Sequence, residues 1–121
     1  MKKLLIALTL VSMLSGCAVV AVAKKYWPRD HDPVMFDKLI TVHVDITSVD
    51  CEKQDWTNAV NSSNQLALYT EWRSDPQKEN IKGLHDHVVK MNKGGSKVFC
   101  ELGKKTALQR INAAKTAWEG R

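Results

Sequence analysis

No G-x-S-x-G elbow, no G-x-x-x-x-G-K-S/T frame and no C-x-x-C pair occurs in these 121 residues. The first absence removes the usual setting of a serine nucleophile, the second a phosphate-cradling loop, and the third the ligand spacing of a small zinc site. Prolines number three and glycines six, and no internal repeat or low-complexity tract breaks the chain. Charge is missing from Leu4 to Ala23, with two lysines on either side. Beyond that stretch no long apolar run recurs, which excludes a multi-span channel. The length admits one domain, and four tryptophans argue against disorder throughout.

What is present is most specific at the N-terminus. Met1-Lys2-Lys3 is a short positive region, and Leu4 to Leu14 is an apolar run of signal-peptide length. Leu14-Ser15-Gly16-Cys17 follows. These four residues resemble the bacterial lipobox. The resemblance implies cleavage between Gly16 and Cys17, diacylglycerol on the Cys17 sulfur, and acylation, as with palmitate, of the new amine. Small residues at positions 15 and 16 admit a peptidase to the backbone, and the thiol is the nucleophile that takes the lipid. The alternative is an uncleaved helix over residues 4–23, just long enough to span. In Gram-negative lipoproteins an aspartate after the cysteine retains the protein in the inner membrane. By that resemblance, Ala18 implies the outer membrane, with the chain facing the periplasm. Residues 1–16 then form the signal peptide. Residues 17–33 form a lipidated tether ending at Pro28 and Pro33. Residues 34–121 form a small disulfide-closed domain.

With Cys17 lipidated, Cys51 and Cys100 remain as a pair. An oxidising compartment makes a disulfide between them the expectation, in preference to free thiols or a metal. Ile40, Val42, Val44 and Ile46 alternate with Thr41, His43, Asp45 and Thr47. That period of two predicts a strand over 39–47. Its partner is expected to be residues 97–101, a second copy of the chain, or another protein. Trp56, Ala59, Val60, Ser63, Leu66, Ala67 and Thr70 share a helical face, predicting a helix over about 51–73. Asp75-Pro76 predicts a second helix start, over about 76–92, ended by Gly94-Gly95. Cys100, Ala107, Ile111, Ala114 and Trp118 make the stripe of a third, over about 102–119. The fold class expected is therefore α+β, mostly helical. The short connection between the first two helices makes them antiparallel, which brings Cys51 and Cys100 to one end.

The chemistry-bearing residues are few. His85 and His87 lie about 200° apart on a helix and cannot share an ion. His31 sits between Asp30 and Asp32, and His43 shares a predicted strand face with Asp45, but solvated histidines account for all four. No metal and no cofactor are expected. Trp56 and Trp118 fall on apolar stripes and are assigned to the core. Trp72 and Tyr69 lie off the stripe and either pack on the strand or form an exposed binding patch; the core is the expectation for both, because a small domain needs its large side chains. Residues 30–55 carry net charge −5 and residues 97–121 carry +4. Either the two segments lie against each other, or Lys104, Lys105, Arg110 and Lys115 form an interaction face for a charged partner. The charge is too mild for nucleic acid.

These features predict a non-enzymatic lipoprotein, bound to membrane lipid through Cys17, that meets a protein or cell-wall partner. In size and lipobox the chain resembles the outer lipoprotein subunits of phage spanin complexes, which implies a role in outer-membrane disruption at lysis. Several of those subunits are richer in proline. A third expectation is a periplasmic inhibitor of a lysozyme-type enzyme, built on a disulfide-closed fold.

Overall fold

The computed structural model describes residues 31–120. The expected signal peptide and lipobox, and the expected tether as far as Asp30, lie outside the described residues. Four helices make up the described chain: α1 (Pro33–Thr47), α2 (Thr57–Trp72), α3 (Lys78–Met91) and α4 (Lys97–Glu119). Each packs on two neighbours in the order α1–α2–α3–α4–α1, with no diagonal approach. Short connections make successive helices antiparallel. One end of the bundle, here the proximal end, gathers the start of α1, the end of α2, the start of α3 and the end of α4. The distal end gathers the rest.

The predicted strand over 39–47 is the main correction, and with it the α+β class: the described residues hold no strand, and the fold is all-helical. Asp32 starts α1, its Oδ1 accepting from the N–H groups of Val34 (3.0 Å) and Met35 (3.1 Å), with Pro33 in the first turn. The buried residues of α1 are Met35, Leu39, Val42 and Ile46, spaced four, three and four. Ile40 and Val44 are half exposed. Val42 and Ile46 stand four apart, so they satisfy a period of two and a helical period at once. The burial resolves the ambiguity in favour of the helix. The proposed partner strand at 97–101 is the opening of α4, capped by Ser96, whose Oγ accepts from Phe99 N–H at 3.1 Å. With no strand, none of the three pairing expectations has a subject.

The three expected helices exist with shifted ends. The first begins at Thr57 instead of residue 51. Asp50 organises a turn there, accepting from Glu52 N–H on its side chain (2.9 Å) and from Gln54 N–H on its carbonyl (2.7 Å). Gln54 then takes φ 53°, which a continuing helix cannot accommodate. Asp75 organises the turn that leads into the next helix, accepting from Gln77 N–H on its side chain (2.9 Å) and from Lys78 N–H on its carbonyl (3.0 Å), and Gly94 follows the helix end with φ 93°.

Two tryptophans plug the two ends of the core. Trp118 is buried proximally and donates its indole N–H to Asp75 Oδ1 at 3.1 Å. Trp56 is buried distally, and its backbone N–H donates to Asn92 Oδ1 at 3.1 Å. No protein acceptor faces the Trp56 indole N–H, an orphan costing about 1–3 kcal/mol that the burial of the large ring offsets. Between them lie Val42, Ile46, Leu66, Ile81, Leu84, Val88, Met91, Ala107 and Ala114, all buried. Cys51 and Cys100 are bonded, their Cα atoms 5.7 Å apart, in the distal layer. The bond joins the chain just past α1 to the first turn of α4 and so encloses α2 and α3.

Candidate functional site

The sequence-predicted basic face does not assemble. Lys104 and Arg110 project about 120° apart around α4 at 100° per residue. The Lys104 ammonium donates to the carbonyls of Val49 (2.9 Å) and Thr47 (3.3 Å), satisfying the carbonyl-rich end of α1. Arg110 reaches the other way, to Asn80 Oδ1 on α3 at 3.3 Å, while Asn80 donates to the Arg110 carbonyl at 3.0 Å. Lys115 pairs with Glu119 one turn on, at 3.2 Å. Lys105 is exposed on the outer side of α4. Lys97 also reaches back, to Glu52 at 2.5 Å. Basic α4 packs on α1, and the Lys97–Glu52 ion pair ties it to the acidic segment that begins the bundle.

The histidines are likewise spent on packing. His85 Nδ1 lies 2.9 Å from Ser63 Oγ on α2, and His87 Nε2 lies 2.9 Å from the Gly103 carbonyl on α4. A carbonyl only accepts, so Nε2 of His87 carries the proton. Ser63 donates to the Val60 carbonyl at 3.1 Å, which leaves His85 Nδ1 as the donor to Ser63. This serine–histidine contact is no nucleophilic pair, because Ser63 is wholly buried and its proton is engaged by the backbone. His43 and Asp45, two apart on what is a helix, diverge. No group of three His, Cys, Asp or Glu side chains converges among the described residues.

The most organised polar cluster is at the proximal end. The Asp32 side chain is only 8% exposed. Beyond its two capping bonds it accepts from the Tyr69 hydroxyl at 2.8 Å and pairs with Arg73 Nε at 3.1 Å. Burial pushes its pKa up, but the bonds from Met35 N–H, Tyr69 and Val34 N–H, with the Arg73 charge, outweigh burial and hold it below 3.8. The same hydrogen bond to Asp32 is the main reason the Tyr69 hydroxyl is raised above its usual 10.0. One carboxylate therefore fastens the first turn of α1 to the last turns of α2.

Apolar exposure is the remaining signal. Val98 (69%), Phe99 and Leu102 (58%) crowd the distal start of α4. A groove of about 340 Å³ runs between α1 and α4, lined by Phe36, Leu39, Ile40, Leu108 and Ile111, with His43 and Lys115 at its rim. At the proximal end Trp72 is 78% exposed, beside half-exposed Leu68 and Lys38. The assignment of Trp72 to the core is therefore wrong: its position off the apolar stripe marked it as exposed. Tyr69 is partly buried and committed to Asp32. Comparison with family models, curated proteins and solved structures finds no match.

Proposed function

We propose that the chain is a lipoprotein held in the outer membrane through Cys17, and that its bundle is a non-enzymatic module that meets a protein or cell-wall partner in the periplasm. The observation that carries this reading is Leu14-Ser15-Gly16-Cys17 directly behind a short apolar run. The folded part agrees with it in three respects. Its Ser63–His85 contact, His87 and Lys104 are engaged in inter-helix bonds, its disulfide suits an oxidising compartment, and its exposed apolar patch at Val98, Phe99 and Leu102 is of the kind that marks contact surfaces. No helix among the described residues is long and apolar enough to cross a membrane.

Metabolic labelling with palmitate tests the anchor. Wild-type chain should take up label and mature, whereas Cys17→Ala should accumulate as unlabelled precursor. Ala18→Asp should move the labelled protein toward the inner-membrane fraction. Label that persists in Cys17→Ala refutes the lipobox reading.

A further inference from the structure

The proximal end holds an arrangement that the capping and packing of the bundle do not use. Trp72 ends α2 with 78% of its surface exposed. Leu68, one turn earlier on the same helix, is 39% exposed. Lys38 of α1 borders the same shallow depression, its ammonium 5.9 Å above the Tyr69 ring. An indole, an aliphatic side chain and a long-stemmed cation are thus brought together on one patch. Nothing in the bundle requires this: Trp72 lies outside the core, and replacing it by a polar residue would leave the packing intact.

The position of the patch is as informative as its chemistry. The Asp32 clamp to Tyr69 and Arg73 fixes the end of α2 beside the start of α1. The chain therefore enters the bundle next to Trp72. His31 follows Cys17 by only 14 positions, a reach of at most about 50 Å fully extended. Indole rings concentrate at the bilayer–water boundary, where the apolar body is buried and the N–H stays wet. Lysine extends its stem along apolar surface and sets its charge among anionic head groups. Residues 68 and 72 are one helical turn apart, so both side chains can enter one shallow layer together. A linker of this length gives an effective concentration on the order of mM, so a contact too weak to recruit a free bundle is populated for an anchored one.

We infer that the Trp72, Leu68 and Lys38 patch is a bilayer-contact surface, docking the proximal end of the bundle on the head-group region of the membrane that holds Cys17. This rests on the lipoprotein reading above. Docking leaves the distal patch at Val98, Phe99 and Leu102 pointing away from the lipid, toward any periplasmic partner.

The test uses the full chain, purified from cells fed labelled palmitate and reconstituted into phosphatidylethanolamine–phosphatidylglycerol vesicles. The acyl chains carry bromine near the head group in one set and none in the other. Trp27→Phe is the background in every sample, and the emission lost on adding Trp72→Phe isolates Trp72 from the buried Trp56 and Trp118. Circular dichroism should show both proteins equally helical, as an exposed position allows. The Trp72 emission should be blue-shifted, should lose more than half its intensity in brominated vesicles, and should resist water-borne acrylamide. Labelled protein whose Trp72 emission is equal in the two vesicle sets and freely quenched by acrylamide overturns the proposal while leaving the anchor standing. That result would assign the patch to a protein partner. Protein that carries no label at Cys17 and does not stay with the vesicles overturns both readings together.

Discussion

Gly103 sits in α4 where that helix passes Met91 of α3, and Gly103→Ala sets two known effects against each other. Alanine in place of glycine in a helix interior contributes about 0.5–1 kcal/mol. Against this, a Cβ at position 103 would stand 2.5 Å from Met91 Sδ and 3.1 Å from Cγ, with Cε closer still. Met91 is itself buried, at 2% exposure, so moving its side chain aside disturbs the packed core. Overpacking of this kind costs about 1–3 kcal/mol. The steric cost wins, and Gly103→Ala should be less stable than wild type by about 1–2 kcal/mol. Gly83 on α3 is the internal control. A Cβ there would meet Arg110 Nη1 at 2.7 Å, but that atom ends an exposed, flexible side chain that can swing aside. Gly83→Ala should therefore gain a few tenths of a kcal/mol or more. Urea unfolding checks both, read as shifts of the midpoint at constant slope. In Gly103→Ala, truncation of Met91 should cost less than it does in wild type, because the two changes share one contact. Equal midpoints for Gly103→Ala and Gly83→Ala would refute the close approach of α3 and α4 at this point.

Two further predictions concern the two ends of the bundle. The Cys51–Cys100 bond spans 49 residues of sequence, and its loop-closure entropy is worth about 4 kcal/mol. Reduction, or Cys51→Ala with Cys100→Ala, should lower Tm by more than ~10 °C for a domain of this size, and unchanged calorimetric melting would show that the bond is not a main constraint. Because the Asp32 carboxyl is held below 3.8 in the fold, its contribution is complete above that value and is lost as pH falls through the depressed pKa. Asp32→Asn keeps a capping oxygen but removes the charge, so the variant should be less stable near neutrality and should show a shallower loss of stability below pH 3.8 than wild type. Parallel acid limbs in circular-dichroism titrations would argue against that account.

Three of the four helices were readable because their apolar stripes are long. Trp56 to Thr70, Ile81 to Met91 and Cys100 to Trp118 each repeat a helical period over about three turns or more, and their residues are buried save Val60 and Ala67, which are partly so. The fourth was misread for a reason of window and residue type. Residues 39–47 are rich in β-branched side chains that prefer strands, and their alternation holds over eight positions. Including Met35 completes the helical stripe, and Asp32-Pro33 is the same cap-and-proline start as Asp75-Pro76. Packing overrode local preference. The candidate site was legible only in part. Pairing of Cys51 with Cys100 is legible in their even count and in the helix connectivity, while the use of Lys104 on the carbonyls of Thr47 and Val49 depends on which helices become neighbours. The Asp32 clamp was hidden likewise, since 37 residues separate Asp32 from Tyr69.

The enclosure of α2 and α3 by the disulfide also decides how the bundle carries mechanical load. Tension applied between residues 31 and 120 enters α1, crosses the sulfur bridge and leaves through α4. Residues between Cys51 and Cys100 are bypassed, because a covalent short circuit transmits the force around them. Only about 40 residues can then be drawn out, giving ~140 Å of slack, against ~310 Å for the same 90 residues without the bridge. The α2–α3 hairpin lies off the path of the force. Under tension the bundle is therefore a strain-limited link: it stretches by two helices and then goes taut.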